Sequence, residues 1–393
     1  MEISKMLFDK FTEKTRDWWL KYLQMIEKHQ LAGNLETEGG KILYPNILLL
    51  TRCPGYYVAE LIGATEKFNG LTLKRHEEHS IYRYMSQFDD SQPDPLFEFN
   101  GIGTGLRFLS LAHDADYDAT RIRFPHIDLY KSKINRVGGH GSTIAFGESF
   151  ISCGIENCVL INRKENIFRC KSILAAYIVK SGITEAQLLD LFINTTRDNQ
   201  VKGVHTVTDK DHRLIVGGQL QSMILCPNLR ETTIGEFVKL HPEVIKSAFK
   251  TEHFEYEPYL EWLEHDGTCT DKAINPDLLI KRSDGYYDIY DLKTAALEKK
   301  SLTKATRSRR RFIDYVEEGI SQLANYREYF TYQKNADFAK NKYGIEVKDP
   351  NLFLVVGSWE NVQFDEVNQA CRKYNNVQII DYDTMCQMFI GTS

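Results

Sequence analysis

Two acidic residues and a lysine in one short stretch carry the clearest chemistry in this sequence. From residue 275 to residue 293 the chain reads Asn-Pro-Asp-Leu-Leu-Ile-Lys-Arg-Ser-Asp-Gly-Tyr-Tyr-Asp-Ile-Tyr-Asp-Leu-Lys. Leu278-Leu279-Ile280 reads as a short apolar strand and Ser283-Asp284-Gly285 as a turn. Tyr286 to Leu292 reads as a second strand, rich in aromatic and branched residues. A turn centred on Asp284 sets Asp277 opposite Asp291, where cross-strand side chains lie about 4.5–5.5 Å apart. Lys293, two residues further on, points to the same face. Like charges facing one another repel, and a divalent cation removes the repulsion. Mg²⁺ favours one or two carboxylates completed by waters and phosphate oxygens, and Mn²⁺ suits the same hard donors. Such an ion polarises a phosphoryl group and lowers the pKa of a bound water, while a nearby lysine orients that water or offsets developing charge. The residue types therefore point to metal-dependent phosphodiester hydrolysis.

The surrounding elements must hold these groups in place. The sequence predicts a helix over about Glu257 to Glu264, with Pro258 suited to its first turn. Glu257, or Glu261 one turn on, would add a third carboxylate. A second helix is predicted from about Phe312 to Phe330, with Phe312, Val316, Ile320, Leu323 and Phe330 as its apolar stripe. Gln322 lies on this helix beside Tyr326 at i, i+4, suited to hold a phosphate oxygen or a water. Leu352 to Val356 and Val377 to Asp381 read as buried strands, with a helix around Asp365 to Lys373 between them. Helices flanking mixed strands make an α/β sandwich. Residues 298–311 hold seven basic side chains and one acid: Lys299, Lys300, Lys304, Arg307, Arg309, Arg310 and Arg311 against Glu298. A charge run is most often a solvated face. Here, directly after the lysine, it points instead to phosphate-backbone contact that is insensitive to sequence and sensitive to salt.

Pro276-Asp277 followed by Asp291-Leu292-Lys293 matches the PD-(D/E)xK nuclease signature. The short pattern alone also fits a hairpin with solvated charges, so spacing and the hairpin context carry the functional reading. The whole segment resembles the Shedu family of bacterial antiviral nucleases. Pro276-Asp277-Leu278-Leu279, Asp291-Leu292-Lys293 and Ile320 to Phe330 carry the resemblance, with Val355-Val356-Gly357 and Ile379 to Asp383 in support, over roughly residues 250–390. The resemblance implies a restriction-endonuclease-like fold, cleavage of double-stranded DNA, metal dependence, a homo-oligomer (a tetramer in the family) and a role in defence against phage, with phage DNA as the target. Carried over, Asp277 and Asp291 would bind the metal, Lys293 would act on the water or phosphate, and Gln322 would support the site. Many relatives have Glu where this chain has Asp291, which is one methylene shorter.

Length and composition set the frame. At 393 residues, with 42% hydrophobic and 26% charged residues, the chain is an ordinary globular sequence of two or three domains. A net charge of −5 means that any nucleic-acid surface must be local. The eight cysteines show no zinc or disulfide spacing, in keeping with free thiols in a reducing cytoplasm. No apolar run is long enough for a membrane span, so a cytoplasmic protein with no membrane partner is expected. The divisions expected are 1–118 as an α+β sensing or regulatory domain, 119–235 as a β-rich domain and 236–393 as the nuclease domain. A helix is predicted over residues 5–29 and at Ala186 to Ile193. Strands are predicted at Ile42 to Thr51, Tyr56 to Ile62, Ile122 to Phe124, Thr143 to Phe146, Cys158 to Ile161 and Leu214 to Ile224. Asp89 to Pro95 reads as a loop. Three tempting patterns lack their context: His76-Glu77-Glu78-His79 is one residue short of a zinc helix motif, and the glycine loops Gly101 to Gly105 and Gly138 to Ser142 lack a nucleotide-binding frame. A nuclease tolerant of sequence must spare the host chromosome, which is the motive for assigning the first 235 residues a restraining role.

Overall fold

In the computed structural model the stretch around Asp277 and Asp291 is an antiparallel hairpin in the register its turn predicts. Leu278 pairs with Tyr290, Leu279 with Ile289, Ile280 with Asp288 and Lys281 with Tyr287. Gly285 takes a φ of 94° at the turn, a backbone conformation that favours glycine. The structure describes the chain apart from residues 1–5, 36–39, 87–97, 100–107, 112–116, 128, 130–133, 137–141, 144–149, 165–166, 198–200, 226–228, 230, 268–270, 298–300, 307–308 and 392–393. The expected loop at Asp89 to Pro95 and the loop Gly101 to Gly105 lie outside the described residues, as do residues 138–141 of the second glycine loop.

The chain forms two units, Met1–Leu225 and Cys226–Ser393. In the first, the order is α1 (Phe8–Leu31), β1 (Lys41–Leu43), β2 (Ile47–Cys53), β3 (Tyr56–Ile62), β4 (Thr72–Glu77), α2 (Ile81–Ser86), β5 (Glu98–Phe99), β6 (Phe108–Leu111), α3 (Tyr117–Arg123), β7 (Ile134–Arg136), β8 (Ser142–Thr143), β9 (Ser152–Lys164), β10 (Ile167–Lys180), α4 (Glu185–Thr196), β11 (His205–Val207) and α5 (Asp209–Ile224). Seven of these strands join one mixed sheet in the order β4-β2-β3-β10-β9-β6-β7. That sheet runs across the division expected between residues 118 and 119. Phe11, Trp19 and Leu23 of α1 are fully buried with Leu48, Leu61 and Tyr177 of the sheet.

Three expectations for this unit are corrected. Ile42 to Thr51 is two strands broken at Tyr44-Pro45-Asn46, not one. Ile122 and Arg123 end helix α3 instead of starting a strand. Leu214 to Ile224 is helical, within α5. Its Gly217-Gly218 pair read as a strand break, yet the glycine is there for packing: a Cβ on Gly218 would lie 3.0 Å from the buried His126 ring. Close approach of an aromatic ring outweighs the intrinsic helix cost of glycine, about 1 kcal/mol.

The second unit runs α6 (Glu231–Leu240), α7 (Pro242–Phe249), β12 (Phe254–Tyr256), β13 (Leu260–Glu261), β14 (Ala273–Ile274), β15 (Leu278–Lys281), β16 (Tyr287–Leu292), β17 (Thr303–Thr306), β18 (Arg309–Phe312), α8 (Asp314–Tyr329), α9 (Gln333–Tyr343), β19 (Leu352–Val355), α10 (Phe364–Cys371), β20 (Val377–Ile380) and α11 (Tyr382–Gly391). Its central sheet has the order β12-β15-β16-β19-β20. The β12, β15 and β16 pairings are antiparallel, and β19 and β20 extend the sheet in parallel. Alternation along β16 splits its side chains between two layers. Tyr287 and Ile289 share a core with Ile320 and Leu323 of α8. Tyr290 points the other way, against Phe249 of α7 at 4.9 Å and stacked on Phe353 at 4.3 Å. Helix α11 packs against α7.

The helix expected over Glu257 to Glu264 is absent. The segment leaves β12, turns, and enters β13. Pairing with β14 takes its place, Leu260 with Ile274 and Glu261 with Ala273, and Glu257, just before Pro258, takes a φ of 45°, outside the right-handed helical region.

Asp288 fastens the hairpin turn to the start of β19. It is 6% exposed and accepts from Arg282 Nη1 at 3.0 Å and from the Asn351 backbone N–H at 2.8 Å. Asp288→Ala would leave the half-buried Asn351 N–H without this acceptor and Arg282 with only Asp284 and the backbone carbonyls of Lys348 and Asp349, at a cost of roughly 1–3 kcal/mol. Urea denaturation of the full chain, followed by a signal from the second unit, should show that loss.

Candidate functional site

Three acids fall on one row across three neighbouring strands at one end of the central sheet. Tyr256 pairs with Leu278 across β12 and β15, and one step on the Glu257 N–H donates to the Asp277 carbonyl at 3.0 Å. The hairpin register then continues from Asp277 to Asp291. Glu257 thus reaches Asp277 through sheet register, where a helix had been expected to bring it. Its side chain is exposed, and its charge helps to raise the Asp277 carboxyl. Glu261 stands apart in β13 and also points to solvent; its carbonyl accepts from the Tyr329 hydroxyl at 3.0 Å.

Asp291 is 1% exposed at the end of β16. Lys293 Nζ lies 2.8 Å from Asp291 Oδ2 and donates to Gln322 Oε1 at 2.7 Å. The Gln322 amide donates onward to the Tyr326 hydroxyl, which donates to the Asn275 carbonyl at 3.3 Å. The i, i+4 pair on α8 therefore links the lysine on one strand end to the residue preceding Pro276-Asp277. The stem of Lys293 crosses α8 at Gly319, where a Cβ would lie 3.3 Å from Lys293 Cε and 2.7 Å from Leu354 Cδ1.

Sequence reasoning missed the groups that hold the lysine backbone. The Lys293 N–H donates to the Val355 carbonyl at 2.8 Å, and the Lys293 carbonyl accepts from the buried Tyr382 hydroxyl at 2.8 Å. The Thr294 N–H donates to the Tyr315 oxygen at 2.9 Å, and the Thr294 carbonyl accepts from the Gly357 N–H at 3.1 Å. The spacing of Tyr315 and Tyr382 relative to Lys293 carries no periodic signal, because α8 and α11 bring them in from far along the chain.

Electrostatics follow from burial. Desolvation first, and then the Asp291 charge, push the Asp277 carboxyl well above the usual carboxylate range, to about 7. The Leu292 N–H, which donates to Asp277 Oδ2 at 2.6 Å, and the Lys293 charge oppose that rise. Burial likewise raises the Tyr326 phenol, with the Asp291 charge adding to it, so this hydroxyl serves as a neutral hydrogen-bond donor.

The basic run folds as the β17–β18 hairpin. Lys304 meets Asp314 at 2.6 Å and Arg311 meets the same carboxylate at 3.5 Å. Arg310 is held by Glu366 at 2.6 Å. Residue 309 lies in β18, and Lys299, Lys300 and Arg307 are outside the described residues. In the first unit His76 meets Glu78 at 3.5 Å, and Glu78 also meets Arg83 at 3.3 Å. Those contacts explain the acidic and histidine cluster without a metal.

Asp277, Asp291 and Glu257 are hard oxygen donors, which suit Mg²⁺ or Mn²⁺ and not a thiolate- or imidazole-preferring ion. Among the described residues no group of three or more His, Cys, Asp or Glu side chains is arranged as a metal cage. Mg²⁺ takes one or two carboxylates completed by water and phosphate oxygens. The donor set fits such an ion at Asp277 and Asp291.

Residues 228–386 match the family model described as Shedu protein SduA, C-terminal. No curated protein matches the chain. No described helix is long and apolar enough to cross a membrane.

The raised Asp277 carboxyl has a consequence for stability. The folded protein holds this proton up to about pH 7, while the unfolded chain releases it near the model-peptide value of about 3.9. Ionising Asp277 therefore destabilises the metal-free fold progressively as pH rises through that window, and by a constant amount above it. Asn at 277 keeps an acceptor for the Leu292 N–H and removes the charge. In EDTA, Asp277→Asn should be more stable than wild type at about pH 8, by roughly 1–2 kcal/mol, and equal to it at about pH 4. Thermal unfolding at both pH values checks this; equal melting at the higher pH would remove the repulsion from the account.

Proposed function

We propose, from the match of residues 228–386 to the Shedu SduA C-terminal family model and from the geometry of the site, that the protein is a metal-dependent endonuclease that hydrolyses double-stranded DNA in defence against phage. The observation that carries the reading is the placement of Asp277, Asp291 and Lys293 at one sheet end, with Gln322 on the lysine. The order of strands and helices in the second unit supports a PD-(D/E)xK sandwich: an antiparallel hairpin carries the acids and the lysine, a helix crosses over, and two parallel strands follow.

In this reading Asp277 and Asp291 hold the ion, and Glu257 closes the acidic row from the β12 side. Mg²⁺ or Mn²⁺ supplies Lewis acidity toward the phosphodiester and a more acidic water. Lys293 holds the attacking water or a non-bridging phosphate oxygen. Gln322 and Tyr326 fix the direction of its ammonium, and the backbone bonds at Lys293 and Thr294 fix its root. Asp277 must lose its proton to serve as a ligand, so ion affinity should rise with pH through the neutral range. The first unit would restrain cleavage until phage DNA is met, and a homotetramer would supply more than one site for a duplex.

A second reading is a DNA-binding scaffold with a nuclease-like fold and no cleavage. It draws on the 2.8 Å ion pair by which Lys293 gives the buried Asp291 a cation of the protein's own.

Incubation of the full chain with linear duplex DNA and Mg²⁺ or Mn²⁺ separates the two readings. Wild type should cut, EDTA should abolish cutting, and Lys293→Ala should lower the rate on the order of 100-fold or more. Asp291→Asn should abolish cleavage while leaving DNA binding in EDTA intact. Binding without cleavage, in either metal, by wild type and also by residues 226–393 freed of the first unit would establish the scaffold.

A further inference from the structure

The β17–β18 hairpin sorts its cations between two faces. Its register pairs Thr303 with Phe312, Lys304 with Arg311, Ala305 with Arg310 and Thr306 with Arg309. Residues directly opposite share a face, and the faces alternate along the ladder. The inner face carries Phe312, fully buried, and Thr303, 7% exposed. Arg310 belongs to this face. Its Nη1 lies 2.6 Å from Glu366 Oε2 of α10 and donates to Thr303 Oγ1 at 3.0 Å, and the Thr303 hydroxyl donates to Glu366 Oε2 at 2.7 Å. This arginine is consumed in fastening the hairpin to α10.

The outer face is built differently. Lys304 and Arg311 stand directly opposite one another. Like charges in that arrangement weaken a hairpin. One carboxylate, Asp314 in the first turn of α8, meets both cations, and its side chain is 79% exposed. Exposed pairs of this kind contribute about 0–1 kcal/mol, so a polyanion can take the place of Asp314.

We propose that the outer face of this hairpin docks the sugar-phosphate backbone of duplex DNA, with Asp314 as an intramolecular counterion that phosphate displaces, and with Glu366 as the residue that positions the hairpin. The choice of duplex DNA rests on the nuclease reading above. Geometry along α8 supports it. Eight residues separate Asp314 from Gln322, the partner of Lys293, which is roughly 12 Å of helix at about 1.5 Å per residue. At about 3.4 Å per nucleotide along one strand, a phosphate held at the hairpin lies a few nucleotides from the one at Lys293. Of the seven basic residues in the run, Lys304 and Arg311 then face the DNA and Arg310 does not.

The test is binding of a fluorescently labelled linear duplex to the full chain in EDTA, across a KCl series. Lys304→Gln and Arg311→Gln should each weaken binding and lower the slope of log affinity against log salt by about 0.9, one phosphate contact. Asp314→Asn should tighten binding about 2–5-fold at low salt and converge on wild type at high salt. Glu366→Ala should weaken binding, and Glu366→Gln, which keeps acceptors for Thr303 and Arg310, should restore it. Wild-type slopes in both cation variants would overturn the proposal. So would unchanged or weaker binding by Asp314→Asn, equal behaviour of the two Glu366 variants, or a full chain that binds no duplex. Cleavage is not read, so a protein that binds as described and never cuts would retain this surface while refuting the nuclease reading.

Discussion

The repulsion between two largely desolvated carboxylates is the constraint around which the second unit is built. Asp277 and Asp291 sit on adjacent strands, Asp291 almost wholly buried and Asp277 with its proton affinity raised by burial and by its neighbour. A sheet selected for stability alone would place apolar side chains on these rungs, because a buried like-charged pair opposes folding. The fold tolerates the strain because the rest of the strands is well anchored. Tyr287 and Ile289 are locked into the α8 core on one face, and Tyr290 is stacked between Phe249 and Phe353 on the other. Local instability at a site supported by a rigid surround is the usual mark of function.

The lysine illustrates the same economy in its fixings. β16 ends at Leu292, so Lys293 lies just past the last strand residue, where a chain would ordinarily fray. Four backbone hydrogen bonds, from Val355, Tyr382, Tyr315 and Gly357, hold Lys293 and Thr294 in place. The side chain is then directed from above by Gln322 and from below by Asp291. A flexible four-carbon stem acquires a defined end point because both its root and its tip are tied. Gly319 belongs to that arrangement, since any larger residue would meet the stem and Leu354.

Like charges across a ladder recur in the basic hairpin, with the opposite sign. Lys304 faces Arg311 as Asp277 faces Asp291. In both places a counterion must be supplied. For the cations it comes from Asp314, in water and weakly held; for the acids burial makes the demand stronger. The chain's net charge of −5 conceals this pairing of an acidic sheet end with a basic hairpin, which shows only when the charges are placed on their faces.

Much of the second unit was legible in the sequence. The turn at Ser283-Asp284-Gly285 determines the hairpin register, because the side-chain period of a strand is two and a turn centre sets every pair. The stripe Val316, Ile320 and Leu323 likewise determines which side of α8 faces the sheet, and with it the position of Gln322. Local rules failed where two neighbours competed or where a partner came from far away. Pro258 reads equally as a helix start and as a helix stop, and pairing with β14 took the place of the helix, leaving Glu257 to meet Asp277 through the ladder. Gly217-Gly218 read as a break until His126 came to lie against Gly218. The seven cations of the basic run look alike in sequence, yet Glu366 and Asp314 divide Arg310 from Lys304 and Arg311. Register and amphipathic faces depend on residues close in the chain, and so they can be read along it. The tyrosine clamps, the buried carboxyl's proton affinity and the sorting of charges depend on which distant side chains share a small volume, and these arise with the folded chain.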